Sequence, residues 1–310
     1  MMFQGTGSNV GKSILVAGLC RAALRRGIRV APFKPQNMSN NAAVCANGGE
    51  IGRAQALQAQ ACGLVPRTDF NPILLKPETV RTSQLIVNGK VAGTQDAMAF
   101  LGDKRLQLMP AVLTCFEALK QEFELVLVEG AGSPAETNLR EGDIANMGFA
   151  DASQTPVTLI GDIDRGGVIA ALVGTQAVLS AGDNTLIRGF LINKFRGNVR
   201  LFDEWLADIE QRTGWRSYGV VPWLSQVGLL PPEDAVPLEE QLTETSDSSS
   251  LKVAAPVLSR IANFDDLDPL RQEPGVELTY VTPGSPIPLD VDAVVVLGTK
   301  SAMGDDRTHP

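Results

Sequence analysis

The stretch Gln4-Gly5-Thr6-Gly7-Ser8-Asn9-Val10-Gly11-Lys12-Ser13 constrains this chain more than any other. Its three glycines let the backbone curl tightly and turn successive N–H groups inward, a nest for phosphate oxygens. Lys12 then supplies a point charge for the β- and γ-phosphates, and the Ser13 hydroxyl is suited to hold Mg2+. Ile14, Leu15, Val16 and Leu19 follow at helical spacing, so the loop opens a helix whose N-terminus faces the anion. The first loop glycine, Gly5, falls one residue early for the common phosphate-loop spacing. A dinucleotide-binding loop is the competing reading, but Gly5-x-Gly7 lacks the third glycine and Lys12-Ser13 would have no role in it. Gly7, Ser8, Asn9, Val10, Gly11, Lys12 and Ser13 are therefore expected to hold a nucleoside triphosphate.

A chain of 310 residues with 44% hydrophobic and 20% charged residues is long enough for two cores. It contains no apolar run of bilayer-spanning length and opens on no signal-like segment, so a cytoplasmic protein off the membrane is expected. The net charge of −8 argues against a general nucleic-acid or anionic-membrane surface. An acidic ligand must then be met by a local basic pocket. Cys20, Cys45, Cys62 and Cys115 are scattered without metal spacing and read as reduced core thiols. The only histidine is His309, which removes almost every His-based catalytic arrangement from the body of the chain.

Only Met1 to Gln4 precede the loop, so the first strand is expected to be a stub or to lack residues at its start. A helix from about Lys12 to Arg26 stops at Gly27, and Arg29 to Phe33 is a second strand. The run Lys34 to Asn41 is too rich in amides for a core element and reads as a loop at a strand's carboxyl end. Glu50 to Gln60 reads as an Ala/Gln-rich helix opened by a glutamate and an arginine. Asn71 to Pro77 and Ser83 to Lys90 read as strands, and Lys104 to Glu122 as an amphipathic helix with Leu106, Met109, Val112, Leu113, Phe116 and Leu119 on one face. Strand–loop–helix units then repeat, with strands at Leu125 to Val128, Val157 to Ile160, Ile187 to Ile192 and Tyr218 to Pro222. Strands apolar on both faces that alternate with helices predict a doubly wound, mostly parallel α/β domain. The expected domain covers residues 1–227, followed by a Pro/Ser/acid-rich linker over 228–250 and a second unit over 251–310.

Glu129 falls where its strand runs out into Gly-Ala-Gly, facing the phosphate loop. Magnesium held by Ser13 and phosphate oxygens needs one or two carboxylates more, and Glu129 is the first candidate, with Glu50 the second. The alternatives are a solvated strand-end acid for Glu129 and a helix-start carboxylate for Glu50. Lys34 can neutralise charge on a transferring phosphoryl group, against the alternative of a surface lysine. Asp162 and Asp164 flank a strand end. One can reach the metal's water shell and Arg165 can meet an anionic substrate, unless they form a local ion pair or cap. Asn193 can read a nucleotide base or cap a turn.

The runs Gln4 to Ser13, Ala31-Pro-Phe-Lys-Pro-Gln-Asn-Met-Ser39, Glu50-Ile-Gly-Arg-Ala-Gln-Ala-Leu-Gln-Ala59, Val128 to Glu136, Gly161-Asp-Ile-Asp-Arg-Gly-Gly167 and Ile192-Asn-Lys-Phe-Arg-Gly197 resemble the motif series of the cobyric acid synthase family. The resemblance runs in order from about Gln4 to Pro222, and the early glycine is similar to that of dethiobiotin synthetase. It implies a P-loop NTPase of the dethiobiotin-synthetase-like type. The implied reaction is ATP- and Mg2+-dependent amidation, through an acyl phosphate, of four peripheral carboxylates (b, d, e, g) of adenosylcobyrinic acid a,c-diamide, with ammonia drawn from glutamine. It further implies Lys12 and Ser13 as phosphate and metal residues, Lys34 as the transfer-stabilising lysine, Glu50 and Glu129 as metal ligands and Asn193 as an adenine contact.

Val257 to Asp266 and Leu297 to Ser301 resemble the opening of the family's class I glutaminase unit. The nucleophilic Cys and the His of that unit lie further on, and Asp305 to Pro310 departs from the family pattern. An incomplete glutaminase-like α/β segment without glutaminase activity of its own is therefore expected. A corrin a,c-diamide synthase or a dethiobiotin synthetase is the nearest rival, opposed by Gln36-Asn37-Met38-Ser39. Partitioning and switch ATPases share the fold but should lack basic loop ends such as Lys34, Arg53, Lys76, Arg140 and Arg165.

Overall fold

A computed structural model describes residues 1–79, 81–96, 105–231, 251–258 and 260–300. In chain order the elements are β1 (Met2–Gly5), α1 (Lys12–Leu24), β2 (Val30–Phe33), β3 (Gln36–Met38), β4 (Ala42–Val44), β5 (Glu50–Gly52), α2 (Arg53–Ala61), β6 (Ile73–Pro77), β7 (Thr82–Val87), β8 (Lys90–Asp96) and α3 (Arg105–Glu122). There follow β9 (Leu125–Glu129), α4 (Met147–Ser153), β10 (Val157–Asp162), α5 (Val168–Val178), α6 (Ala181–Leu186), β11 (Ile187–Phe195), α7 (Asp203–Thr213), β12 (Arg216–Pro222), β13 (Leu251–Pro256), α8 (Asp268–Gln272), β14 (Val276–Val281) and β15 (Ala293–Val294).

Six strands form one parallel sheet in the order β12-β11-β10-β1-β9-β2. The chain leaves β1 for the β2 edge, fills the gap with β9 and then builds outward through β10. The carboxyl ends of β1, β9 and β10 therefore meet at one crevice, where open α/β sheets place ligands.

The apolar strand runs divide by the period of two that a pleat imposes. Met2, Ala31, Phe33, Val126, Val128, Val157, Leu159, Phe190 and Ile192 enter the core beneath α3, α4, α5 and α7. Phe3, Val30, Leu127, Ile160 and Leu191 face the other way, onto Val16, Cys20 and Ala23 of α1 and Cys62 just past α2. Phe33, Phe116 and Phe149 tie β2, α3 and α4 together with ring centroids 5.1–5.7 Å apart. Val112, Phe116 and Leu119 are buried and Met109 and Leu113 pack beside them, as the periodicity of α3 predicts. Lys104 and the Leu106 side chain lie outside the described residues.

Two sequence expectations need correction. The amide-rich run after Lys34 is not an open loop, because Gln36–Met38 is a strand parallel to β6, and Gln36, Asn37, Ser39 and Asn41 are buried. Two of them meet polar partners inside the fold: Asn37 donates to Gln55 Oε1 of α2 at 3.0 Å, and Ser39 Oγ accepts from the backbone Asn41 N at 3.1 Å. Glu50 does not open a helix. Glu50–Gly52 pairs antiparallel with Ala42–Val44, and α2 starts at Arg53 after an extended Gly52. The Gly52 N–H is taken by Asn71 Oδ1 at 3.1 Å, which favours the strand over a helical turn. β6, β7 and β8 build a second sheet on β3, with Asn88-Gly89 supplying the two positive φ values of a tight hairpin turn.

The segment from Leu251 forms a three-stranded parallel sheet in the order β14-β13-β15, over a small cluster of Leu258, Ile261 and Phe264. Most of the expected linker (residues 232–250) and the tail with His309 lie outside the described residues.

Candidate nucleotide and carboxylate site

Glu129 is the last residue of β9 and is fully buried. Ser13 Oγ donates to its Oε1 at 2.7 Å, and Lys34 Nζ reaches the same oxygen at 2.8 Å. Gln58 Nε2, from α2, donates to the other oxygen. The solvated-acid reading of Glu129 and the surface-lysine reading of Lys34 are both excluded, since the side chain of Lys34 is only 4% exposed. Burying this pair is tolerable only because each carboxylate oxygen has a donor.

The loop above it is shaped by close approach. A Cβ on Gly5 would lie 2.5 Å from Val10 Cγ2 and 2.8 Å from Gly7 O. Gly11 has a φ of +91°, and a Cβ there would lie 2.5 Å from Asn193 Nδ2. Lys12 Nζ donates to Gly7 O and Gly132 O, both at 3.1 Å, across the mouth of the crevice.

The ends of β10 and β11 brace the loop from below. Asn193 is buried and donates to Val10 O at 2.8 Å, while Lys194 Nζ donates to Asn9 O at 2.7 Å and to Asp162 Oδ2 at 2.8 Å. Asp162 also accepts from Asp164 N at 2.9 Å. Arg165 is 65% exposed and its Nε is 3.9 Å from Asp162, so this cluster forms local ion pairs that anchor the loop. Glu50 is paired with Lys76 of β6. The structure thus gathers Lys12, Ser13, Lys34 and Glu129 at the crevice and sets Asp162 and Asn193 beneath the loop. It leaves Arg165 facing solvent and holds Glu50 on Lys76.

A cavity of about 370 Å3 opens beside the loop, lined by Lys12, Lys34, Asn37, Gly132, Arg140 and Asn146 among others. Arg140 makes a two-pronged ion pair with Asp183, and that hydrogen bonding raises the guanidinium's already high pKa. The far wall is set by residues that no sequence motif flagged. Asp143 accepts from the backbone N–H groups of Ala145, Asn146 and Gly148 at 2.8–3.0 Å. Asn146 then grips both the N–H and the carbonyl of Ala131. The Asp143-x-x-Asn146-x-Gly148 spacing is the signal that could have found them, since a Cβ on Gly148 would lie 1.8 Å from Asp143 O. Gln58 was legible only as part of an amide-rich helix.

These residues fit a magnesium–triphosphate. The left-handed loop held open by glycines suits phosphate oxygens. The buried Ser13 hydroxyl and Glu129 carboxylate are hard oxygen ligands of the kind magnesium takes, with phosphate filling other positions. Among the described residues, no helix is long and apolar enough to cross a membrane.

Residues 1–238 match the family described as CobQ/CobB/MinD/ParA nucleotide binding domain, and residues 252–309 match the CobB/CobQ-like glutamine amidotransferase domain. The chain is similar to the cobyric acid synthases of Hyphomonas neptunium (60% identity) and Jannaschia sp. (63% identity), each over 98% of this chain. It spans 61% and 62% of the lengths of those curated relatives. Among solved structures, chloroplast FtsY from Physcomitrella patens matches at 15% identity with a TM-score of 0.36, over 71% of this chain and 56% of that chain, a likeness too slight to carry weight. With its phosphate loop, parallel sheet and 238 matched residues, the chain belongs to the CobQ/CobB/MinD/ParA nucleotide binding domain family.

Proposed function

We propose that this chain uses ATP and Mg2+ to convert peripheral carboxylates of a corrinoid, adenosylcobyrinic acid a,c-diamide, into amides with ammonia. The observation that carries the reading is the convergence of Ser13 and Lys34 on the buried Glu129, beside a cavity whose lining includes Lys12, Lys34 and Arg140 together with the acids Glu136 and Asp143. A carboxylate becomes an amide most readily once its oxygen carries a phosphoryl group, because phosphate then leaves as ammonia attacks. The protein's part is positioning and charge neutralisation. In this reading Ser13 and Glu129 hold the magnesium, and Glu50 contributes if Lys76 releases it. Lys12 and Lys34 neutralise the phosphates and the transferring group. Asn193 keeps the loop closed, with its carbonyl edge left for the base. Arg140, Asn37 and Asn146 take the carboxylate-bearing edge of the substrate. Arg165 stands at the rim, and Asp162 acts through Lys194 on the loop. The reduced thiols accord with a cytoplasmic setting.

Nitrogen can reach the site as ammonia or from glutamine. All four cysteines of the 310-residue chain precede residue 116, within the nucleotide domain, so the amidotransferase-like residues 252–309 contain no thiol nucleophile. The test supplies ammonia and glutamine separately with ATP, Mg2+ and the corrinoid, and measures amide and glutamate. Amide from ammonia with no glutamate from glutamine is expected. ATP-binding protein that forms no corrinoid amide from ammonia would overturn the reading.

A further inference from the structure

The segment from Leu251 packs against the nucleotide domain through specific polar contacts. Asn263 N donates to Asn41 Oδ1 at 2.7 Å while Asn263 Oδ1 accepts from Ala42 N at 3.0 Å, a reciprocal pair. Lys300 Nζ donates to Gln84 Oε1 at 3.2 Å. Arg53 Nη2 lies 2.6 Å from Asp265 Oδ2, whose side chain is 1% exposed. Among the described residues neither Asp265 oxygen has a hydrogen-bond partner, so the guanidinium meets the carboxylate as an ion pair. A carboxylate so fully removed from water is strongly committed to that one guanidinium.

The Asn263 and Asp265 contacts land beside β3 and on α2, whereas Lys300 meets β7. Asn41 lies three residues past β3, whose Gln36, Asn37 and Met38 line the cavity. Arg53 is the first residue of the nine-residue helix α2. Gln58, on the same helix, is fully buried and donates both to Ser13 O at 3.2 Å and to Glu129 Oε2. One short rigid helix therefore carries the docking cation at its start and the amide that orients Glu129 in its middle.

We infer that the docked segment 251–300 is a positioning element of the nucleotide site. Asp265, through Arg53, fixes α2, and Gln58 on α2 fixes the Glu129 carboxylate for its metal. The inference rests on the reading of Glu129 as a magnesium ligand. Partners that orient a ligating carboxylate commonly change metal affinity by about 10- to 100-fold when removed.

The test measures Mn2+ affinity of the full chain by electron paramagnetic resonance, with a non-hydrolysable ATP analogue bound. Gln58→Leu is expected to weaken Mn2+ by about tenfold or more, and Asp265→Asn and Arg53→Met by roughly three- to tenfold each. The double variant R53M/D265N should be no weaker than either single one, because both remove the same contact. R53M/D265N removes both charges together, leaves no buried carboxylate unpaired, and serves in place of a single variant that does not fold. Wild-type Mn2+ affinity in Arg53→Met, with Glu129→Gln unable to bind the ion, would overturn the docking inference alone. Undiminished binding by Glu129→Gln would overturn the metal reading and the inference with it.

Discussion

Ser13 Oγ sits 2.7 Å from Glu129 Oε1, joining the first turn of α1 to the carboxyl end of β9 across 116 residues of sequence. Lys34 Nζ shares that oxygen, so the one acid serves a hydroxyl and an ammonium that are both buried. Glu129→Gln keeps the shape and removes the charge, leaving Lys34 without its counter-ion. We expect it to lower stability by about 3–5 kcal/mol, and adding Lys34→Met to recover most of that loss. Urea unfolding of the single and double variants measures both, and a fully stable Glu129→Gln would contradict the buried-pair reading.

Lys12 reaches carbonyls on both sides of the crevice, Gly7 O and Gly132 O, in positions that phosphate oxygens can replace. Neither bond is needed to fold α1, whose helix continues through its own backbone. Lys12→Ala should leave circular dichroism unchanged and weaken ATP binding by about 10- to 100-fold, the worth of one charge-assisted hydrogen bond. Calorimetric titration returning wild-type affinity in a folded variant would sink the phosphate-loop assignment.

Gly11 and Gly7 belong to one loop but make different demands. Alanine at Gly11 would take a φ of +91° and push its Cβ to within 2.5 Å of Asn193 Nδ2, whereas a Cβ on Gly7 meets nothing within 4 Å. Gly11→Ala should therefore cost about 1–3 kcal/mol of stability without nucleotide, and Gly7→Ala less than about 0.5 kcal/mol. Thermal or urea unfolding separates them. Equal losses would show that the loop's tightness is not set by the Asn193 approach.

Where the sequence was informative, it was so because a physical rule has few solutions. Gly-Lys-Ser after a short apolar strand leaves little but a phosphate loop, and Glu129 at the end of an apolar strand faces either the crevice or solvent, a choice its burial settles. The run Lys34 to Asn41 misled because an amide such as Asn37 can be buried against another amide instead of facing water. Asn37 and Gln55 are far apart in the chain, and their pairing is invisible until β3 and α2 are placed. Glu50 misled for a related reason, since a helix-start carboxylate and a strand-end partner of Lys76 look alike in one dimension. Asp143 and Asn146 were missed because they act on backbone groups, so their only trace is the Asp-x-x-Asn-x-Gly spacing rather than a residue type that signals chemistry.

The four thiols provide a test of interior chemistry that does not depend on any ligand. Cys20 and Cys62 are buried in one cluster beneath α1 and α2. The neighbouring Cys62 thiol, burial and the nearby charge of Glu129 all raise the Cys20 thiol far above its ordinary range. Cys115 is half-buried on α3, and burial, followed by the charge of Asp69, raises its thiol from the usual 9.0 to about 11. Between those pH values the unfolded chain gives up the Cys115 proton while the folded chain keeps it. The folded state then binds more protons, so this thiol's contribution to stability is intact below pH 9 and is lost as pH rises towards 11. The thiolate is the reactive species, and near pH 8.5 the folded Cys115 should carry roughly a hundredfold less of it than an ordinary cysteine. Iodoacetamide labelling of the native chain, read by peptide mass, should be slow at Cys20 and Cys115 at pH 8.5 and fast at both in urea. The native Cys115 rate should climb to a midpoint near pH 11, and a native midpoint near 9.0 would mean that α3 does not shield the thiol from water.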